Sequence, residues 1–120
     1  LGANEGVLAV TVVSGRSLRN REMFGKQDPY VLMTLLDTDA KVLSEGRTAT
    51  VKKGGRDPTW TPGEGDSVDL PYSAPPDAGL LLTLTVMDEE VASKDDLIGR
   101  GEVNLAHVTL GSTTPIPVPL

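Results

Sequence analysis

The chain has 120 residues, with 17 acidic against 11 basic residues and a formal net charge of -6 at pH 7. This length suits one domain with one core, and the negative charge disfavours a general binder of nucleic acid. Cysteine is absent, which excludes disulfides and favours a cytosolic or nuclear setting. The chain starts at Leu1 without a methionine or a leader pattern. We therefore expect one domain over 1–120, with its core at about 6–118, excised from a longer protein.

Seven stretches of the chain, rich in apolar and β-branched residues, read as β-strands, several with a clear period of two. In chain order they are 6–13, 29–36, 47–53, 66–72, 80–87, 97–105 and 114–120. No stretch shows a helical period, so the pattern predicts an all-β antiparallel sandwich. Residues 37–46 are expected to form a polar turn, and Trp60 is expected to be a packing anchor.

The final stretch, 114–120, alternates prolines with apolar residues. Amides two residues apart in a strand point to the same side, so Pro115, Pro117 and Pro119 remove the donors from one edge. This predicts an edge strand that is protected from further pairing. The alternative is an extended tail without a partner.

Five carboxylates fall within residues 88–96, and a second acidic stretch lies upstream at 22–31. If successive strands alternate in direction, the first, third and fifth connections share one end of the sandwich. Both acidic stretches lie in that set, so we expect them to meet. Crowded carboxylates repel one another unless a cation is bound, and calcium accepts about six to eight oxygen ligands. The pattern predicts a calcium site, and the alternative is a solvated acidic loop.

Three motifs in this order resemble C2 domains. Residues 28–31, Asp-Pro-Tyr-Val, are similar to the family's DPYV signature, and 56–60 are similar to its NPxW segment. Residues 86–99 resemble its VxDxD…DDxIG segment. The resemblance covers about 6–118 and implies an eight-stranded Greek-key sandwich whose loops at one end bind calcium and then anionic phospholipid. It also implies the type II, circularly permuted topology, with an eighth strand beyond Leu120.

The resemblance implies a set of oxygen ligands for one or two Ca²⁺ ions. Carried over motif by motif, these are Glu22, Asp28, Asp88, Glu90 and Asp96, with an auxiliary oxygen from Ser93. Glu22 and Glu90 stand where the family has aspartate. The charge is kept, but the longer side chain changes the reach of the carboxylate.

Apolar and basic residues near the acidic stretches are candidates for lipid contact. The candidates for shallow insertion into a headgroup layer are Met23, Phe24, Val91 and Ala92. The candidates for phosphoinositide contact are Arg47, Lys52, Lys53 and Arg56. The alternatives are that Phe24 tucks back into the domain, and that the basic residues form a solvated strand face.

The sequence thus predicts calcium-dependent binding to anionic phospholipid membranes, with phosphatidylserine and phosphoinositides as the expected lipids. We expect cytoplasmic localisation with peripheral membrane association, as in modules of signalling or membrane trafficking. The alternative is a calcium-independent protein-interaction domain with a degenerate metal site. We expect no enzyme, because His107 is the only histidine and the chain has no nucleophile-elbow or zinc-ligand pattern.

Overall fold

A computed structural model describes residues 4–74, 79–107, 111 and 115–120. Its described residues form six β-strands and a single 3-10 turn, and no α-helix. The strands are β1 (Asn4–Thr11), β2 (Pro29–Leu36), β3 (Val42–Arg47), β4 (Ser67–Ala74), β5 (Leu81–Asp88) and β6 (Asp96–Asn104), and the turn is Leu105–His107. The predicted all-β class is confirmed. Within those ranges, no helix is long and apolar enough to cross a bilayer.

Two antiparallel sheets make up the sandwich. One sheet pairs β1 with β4, and the other has the order β3-β2-β5-β6. The sheets approach closely at Gly46 of β3, where an added Cβ would overlap the side chain of Val68 on β4. Because a glycine is needed there, this strand lacks the apolar residue that would have continued its alternating pattern.

The core lies between the two sheets and follows the side-chain alternation of the strands. Its buried apolar members are Leu18, Val31, Met33, Leu35, Trp60, Val68, Leu70, Leu82, Val86 and Ile98. The inward positions of β2 lie beside the inward positions of β5, because the register pairs Val31 with Val86 and Leu35 with Leu82. Burial of these side chains contributes roughly 1.5–3 kcal/mol each and holds β2 and β5 at the centre of the larger sheet.

The predicted third strand was wrong in position. Residues 47–53 are not a strand beyond Arg47, and the pairing with β2 instead uses Val42–Arg47, most of which was expected to be a polar turn. After Arg47 the chain stays beside β2 through single hydrogen bonds, such as that from the Thr48 amide to the Val31 carbonyl at 2.9 Å. Lys53 then has a φ of 55°, which an extended strand does not allow.

The predicted strand at 114–120 is also absent: Thr114 lies outside the described residues, and 115–120 form no strand. The segment nevertheless has a place in the fold. A Cβ on Gly101 would lie 2.7 Å from Val118, and one on Gly99 would lie 3.1 Å from Leu120. The tail therefore packs on the two glycines of β6. The type II topology and an eighth strand beyond Leu120 stay predictions.

Trp60 is buried, as expected of a packing anchor. Its indole N–H donates to the Ala49 carbonyl at 2.9 Å and approaches the Thr48 hydroxyl at 3.2 Å. Trp60→Phe is expected to lower the free energy of unfolding by roughly 1–3 kcal/mol, because the smaller ring leaves a gap in the core and the indole N–H bond to the Ala49 carbonyl is lost. Urea denaturation measures this loss. Tyr72→Phe, on a half-buried ring, is the control and should change stability by less than about 0.5 kcal/mol; equal effects would contradict the assignment.

Candidate calcium site

The strand register brings the two acidic stretches to one end of the sandwich. Pro29 at the start of β2 pairs with Asp88 at the end of β5, and Asp88 pairs with Asp96 at the start of β6. Across this junction the Asp28 amide donates to Asp88 Oδ1 at 2.8 Å, and the Glu89 amide donates to the Asp28 carbonyl at 3.0 Å. Residues 60 positions apart in sequence therefore share one pole of the domain.

Three carboxylates converge at this pole. One oxygen from each of Glu22, Asp88 and Glu90 lies within 4.8 Å of the other two. Asp88 is completely buried; its Oδ1 accepts the Asp28 amide, whereas Oδ2 has no hydrogen-bond partner among the described residues. A buried carboxylate oxygen without a donor is costly. This unpartnered oxygen and the all-oxygen donor set suit a calcium ion.

The electrostatics of the cluster reflect its crowding. The pKa of Glu22 is raised from 4.5 to about 7, first by the neighbouring Asp88 side chain and then by that of Glu90, because a protonated Glu22 can donate to these carboxylates. Without a cation, Glu22 therefore keeps a proton near neutral pH. Proton and calcium therefore compete for the same oxygens.

This competition predicts how stability and calcium affinity depend on pH. Between 4.5 and about 7 the folded domain holds a proton on Glu22 that the unfolded chain has lost. The calcium-free domain should therefore gain stability as the pH falls from about 8 to about 5, whereas calcium affinity should fall over the same range. Thermal melts in chelator and calcium titrations measure the two trends. A Glu22→Gln variant with the same pH slopes as the wild type would contradict this origin.

The other predicted ligands lie around the three carboxylates rather than in their group. Asp28 Oδ1 accepts the Lys53 amide at 2.6 Å, which fixes that carboxylate beside the loop after Lys52. Asp96 is half-buried opposite Asp88, and Ser93 is exposed in the loop between β5 and β6. Glu22, Asp88 and Glu90 supply the three oxygens that lie together, and the ligand roles of Asp28, Asp96 and Ser93 stay predictions.

Asp95 was not predicted to have a role, yet it organises the β5–β6 loop. It accepts hydrogen bonds from the Tyr30 hydroxyl and, at 2.8 Å, from the Glu90 amide. The Glu90 amide and then Tyr30 lower the pKa of Asp95, while burial and the Asp95 contact raise the pKa of Tyr30 to about 12. Asp95 therefore holds the Glu90 backbone in place and is not a member of the three-carboxylate group.

Glu89 was also not assigned a role, although it forms ion pairs with two members of the predicted basic cluster. Its carboxylate accepts hydrogen bonds from Lys52, Thr50 and Arg47. The bonds from Lys52 and Thr50 are the main causes that lower the pKa of Glu89 to about 2. Side-chain alternation along 88–90 could have indicated that Glu89 points away from Asp88 and Glu90.

The four residues predicted to contact phosphoinositides differ in their contacts within the domain, and their role in lipid binding stays a prediction. Arg47 and Lys52 are joined through Glu89. Arg56 Nε donates to the Leu18 carbonyl at 2.8 Å. Lys53 is exposed, and its amide binds Asp28.

The predicted membrane-contacting side chains are exposed. Met23 is 87% exposed, Phe24 is 85% exposed and Val91 is 99% exposed. Ala92, next to Val91, is exposed as well. Phe24 does not tuck into the domain. Since Met23 follows Glu22 and Val91 follows Glu90, these apolar side chains flank the acidic cluster.

The fold and this site define a β-sandwich module with an acidic cluster at one end and exposed apolar side chains beside it. A model of the C2 domain family matches residues 6–120, so the chain belongs to the C2 domain family. The chain is 33% identical over 105 residues to the 16 kDa phloem protein 1 of Arabidopsis thaliana, covering 86% of this chain and 61% of that protein. It is 32% identical over 104 residues to Synaptotagmin-2 of Arabidopsis thaliana, and this match covers 87% of this chain and 18% of that protein.

The solved structure of a C2 domain of RIM from Drosophila has the same fold, with a TM-score of 0.63 and 30% identity over 88% of this chain and 79% of that one. The chain spans less than two thirds of the two curated relatives named above. Family membership makes it a membrane-binding or protein-binding module of a generally non-catalytic kind.

Proposed function

We propose that this domain binds anionic phospholipid membranes in a calcium-dependent way, as a peripheral module on the cytoplasmic side. The observation that carries the proposal is the buried Asp88 carboxylate, whose unpartnered oxygen lies in a cluster with Glu22 and Glu90. The exposed apolar side chains beside the cluster, Met23, Phe24 and Val91, support a membrane as the partner.

Glu22, Asp88 and Glu90 would hold the ion, with Asp28, Asp96 and Ser93 bordering it. Calcium supplies positive charge at a pole that is otherwise negative, which lets anionic headgroups approach. The chain itself supplies the position of the ligands: the Asp28 amide orients the Asp88 carboxylate, and Asp95 orients Glu90 through its amide. The exposed apolar side chains can then enter the headgroup layer.

Calorimetric titration with calcium, with and without phosphatidylserine vesicles, tests the proposal. We expect calcium binding in solution and tighter binding when vesicles are present, because the headgroups add oxygens and negative charge to the bound ion. Sedimentation with the vesicles should need calcium and be lost in chelator. Equal sedimentation in calcium and chelator would contradict calcium dependence, and no sedimentation in either would contradict membrane binding.

One observation favours a second candidate, a calcium-independent protein-interaction domain. The raised pKa of Glu22, about 7, lets a proton stabilise the cluster in place of a metal ion. In that case calcium at millimolar concentration should leave the melting temperature unchanged, and chelator should leave partner binding unchanged. A clear rise in melting temperature with calcium favours the first candidate.

A further inference from the structure

Gln27 is a fully buried polar residue, with 0% of its surface exposed, at the end of the loop that carries Glu22. This first loop comprises residues 19–27. A buried amide side chain presents two N–H donors and a carbonyl acceptor, and each of these groups costs free energy if it is left unpaired. The partners of these groups therefore show what the side chain stabilises.

The hydrogen bonds of the Gln27 side chain go to backbone groups. Its nitrogen donates to the Arg19 carbonyl at 2.8 Å and to the Gly55 carbonyl at 3.1 Å. Its oxygen accepts the Arg21 amide at 2.9 Å. Both donors of the side chain are used, and its acceptor is occupied. Because all three partners belong to the main chain, these bonds fix the path of the backbone.

These bonds close the first loop and attach it to a second segment of the chain. Two of them join the start of the loop to its end, while residues 23–26 between them are exposed. The third joins the loop to Gly55, whose own amide donates to the Gln27 carbonyl at 3.1 Å. Gly55 has a φ of 68°, a conformation that favours glycine. The first loop is therefore held at its base.

We propose that Gln27 is a positioning residue for the calcium site, because it keeps the first loop closed and thereby keeps Glu22 beside Asp88. The inference rests on the proposed calcium-dependent function and extends it to a residue outside the three-carboxylate group. Asp88 ends β5 and is held by strand pairing, whereas Glu22 lies in no strand. The place of Glu22 in the cluster therefore depends on the closure of the loop.

A glutamine suits this position because its amide group has the required donors. An ionised glutamate has only acceptors and would face two carbonyl oxygens, and methionine is of similar size but has no comparable donor or acceptor. In Gln27→Met, three backbone groups would have to bond to water instead, which favours an open loop. Glu22 would then spend part of the time away from the cluster.

Gln27→Met tests the positioning role, with Thr48→Val as a matched control. Both variants replace a buried polar side chain by an apolar one of similar size, but the Thr48 hydroxyl accepts the Val31 amide at 3.0 Å, outside the first loop. Gln27→Met should lower calcium affinity about tenfold, as is typical when groups that orient metal ligands are lost. Thr48→Val should lower the melting temperature and leave calcium affinity unchanged. Calorimetry and thermal melts in chelator measure the two effects.

A double variant separates positioning from a general loss of stability. If Gln27 acts through Glu22, Gln27→Met should add little to the loss of calcium affinity in Glu22→Gln, and the double variant should resemble Glu22→Gln alone. Losses that add in full would mean that Gln27 acts elsewhere in the fold.

Hydrogen exchange in chelator measures the closure of the loop without calcium. In the wild type, after correction for intrinsic rates, the Arg21 amide should exchange at least about tenfold more slowly than the Phe24 amide, which has no hydrogen-bond partner among the described residues. In Gln27→Met this difference should disappear, whereas Thr48→Val should keep it. The wild-type comparison stands even if Gln27→Met does not fold.

The proposal is overturned if Gln27→Met and Thr48→Val affect calcium affinity alike, if the losses in the double variant add in full, or if the Arg21 amide exchanges as fast as the Phe24 amide. The proposed calcium function fails separately. A wild type that binds no calcium would contradict that function, whereas the exchange rates would still show whether Gln27 closes the loop.

Discussion

Asp88→Asn is expected to lower calcium affinity by at least about 100-fold, since the charge of the ligand set controls the affinity of calcium sites. Oδ1 of Asp88 accepts the Asp28 amide, so an asparagine must keep its oxygen there. The new amide nitrogen then replaces Oδ2 and points a donor into the cluster with Glu22 and Glu90. The substitution removes one negative charge and also repels the cation. Calorimetry measures the change, and vesicle sedimentation should lose its calcium dependence.

Asp69→Asn is the matched control, because Asp69 is an exposed aspartate on β4, in the other sheet from Asp88. It should leave calcium affinity unchanged. Asp88→Asn itself should remain folded, since the hydrogen bond to the Asp28 amide is kept and the repulsion from Glu22 and Glu90 is reduced. A folded Asp88→Asn variant that binds calcium like the wild type would disprove the site.

Phe24→Ala is expected to weaken calcium-dependent vesicle binding by roughly tenfold to a hundredfold, as burial of one phenylalanine is worth about 1.5–3 kcal/mol. Phe24 is 85% exposed, so its removal costs the fold little, and it offers no oxygen to the ion. Calcium affinity in the absence of vesicles should therefore stay the same. Vesicle titrations at saturating calcium, compared with calorimetry in solution, separate the two effects.

Val7→Ala controls for the loss of exposed apolar surface away from the acidic pole. Val7 is 60% exposed in the middle of β1 and should contribute nothing to vesicle binding. If Phe24→Ala matches Val7→Ala, membrane insertion at this pole is disproved, and headgroup contacts alone would account for binding. If Phe24→Ala lowers calcium affinity in solution, its effect is on the loop and not on the membrane.

The sequence predicted most strands because their burial shows in the alternation of side chains. β2 and β5 carry apolar residues at their inward positions, apart from Asp88 at the end of β5, so both were located to within a residue. β3 was misplaced because Gly46 stands at an inward position, where Val68 of the opposite sheet fills the space. That requirement comes from a residue more than 20 positions away and leaves no local signal.

The acidic pole followed from two local properties, the density of carboxylates and the alternating direction of successive strands. Both are readable along the chain, so the meeting of Asp28 with Asp88 could be predicted. The separate roles of neighbouring acids could not. Glu89 and Asp95 have the same chemistry as the predicted ligands, but they face Lys52 and Tyr30.

Local patterns thus determined the class of fold, the positions of most strands along the chain and the end at which the acids gather, since alternation and charge are properties of neighbouring residues. The three-dimensional arrangement decided which carboxylates share the innermost site and which neutralise basic side chains. It also decided that the Phe24 side chain faces solvent. These outcomes depend on the direction of each side chain at a junction of several segments, and distances of a few ångströms across that junction are not encoded in any one stretch of chain.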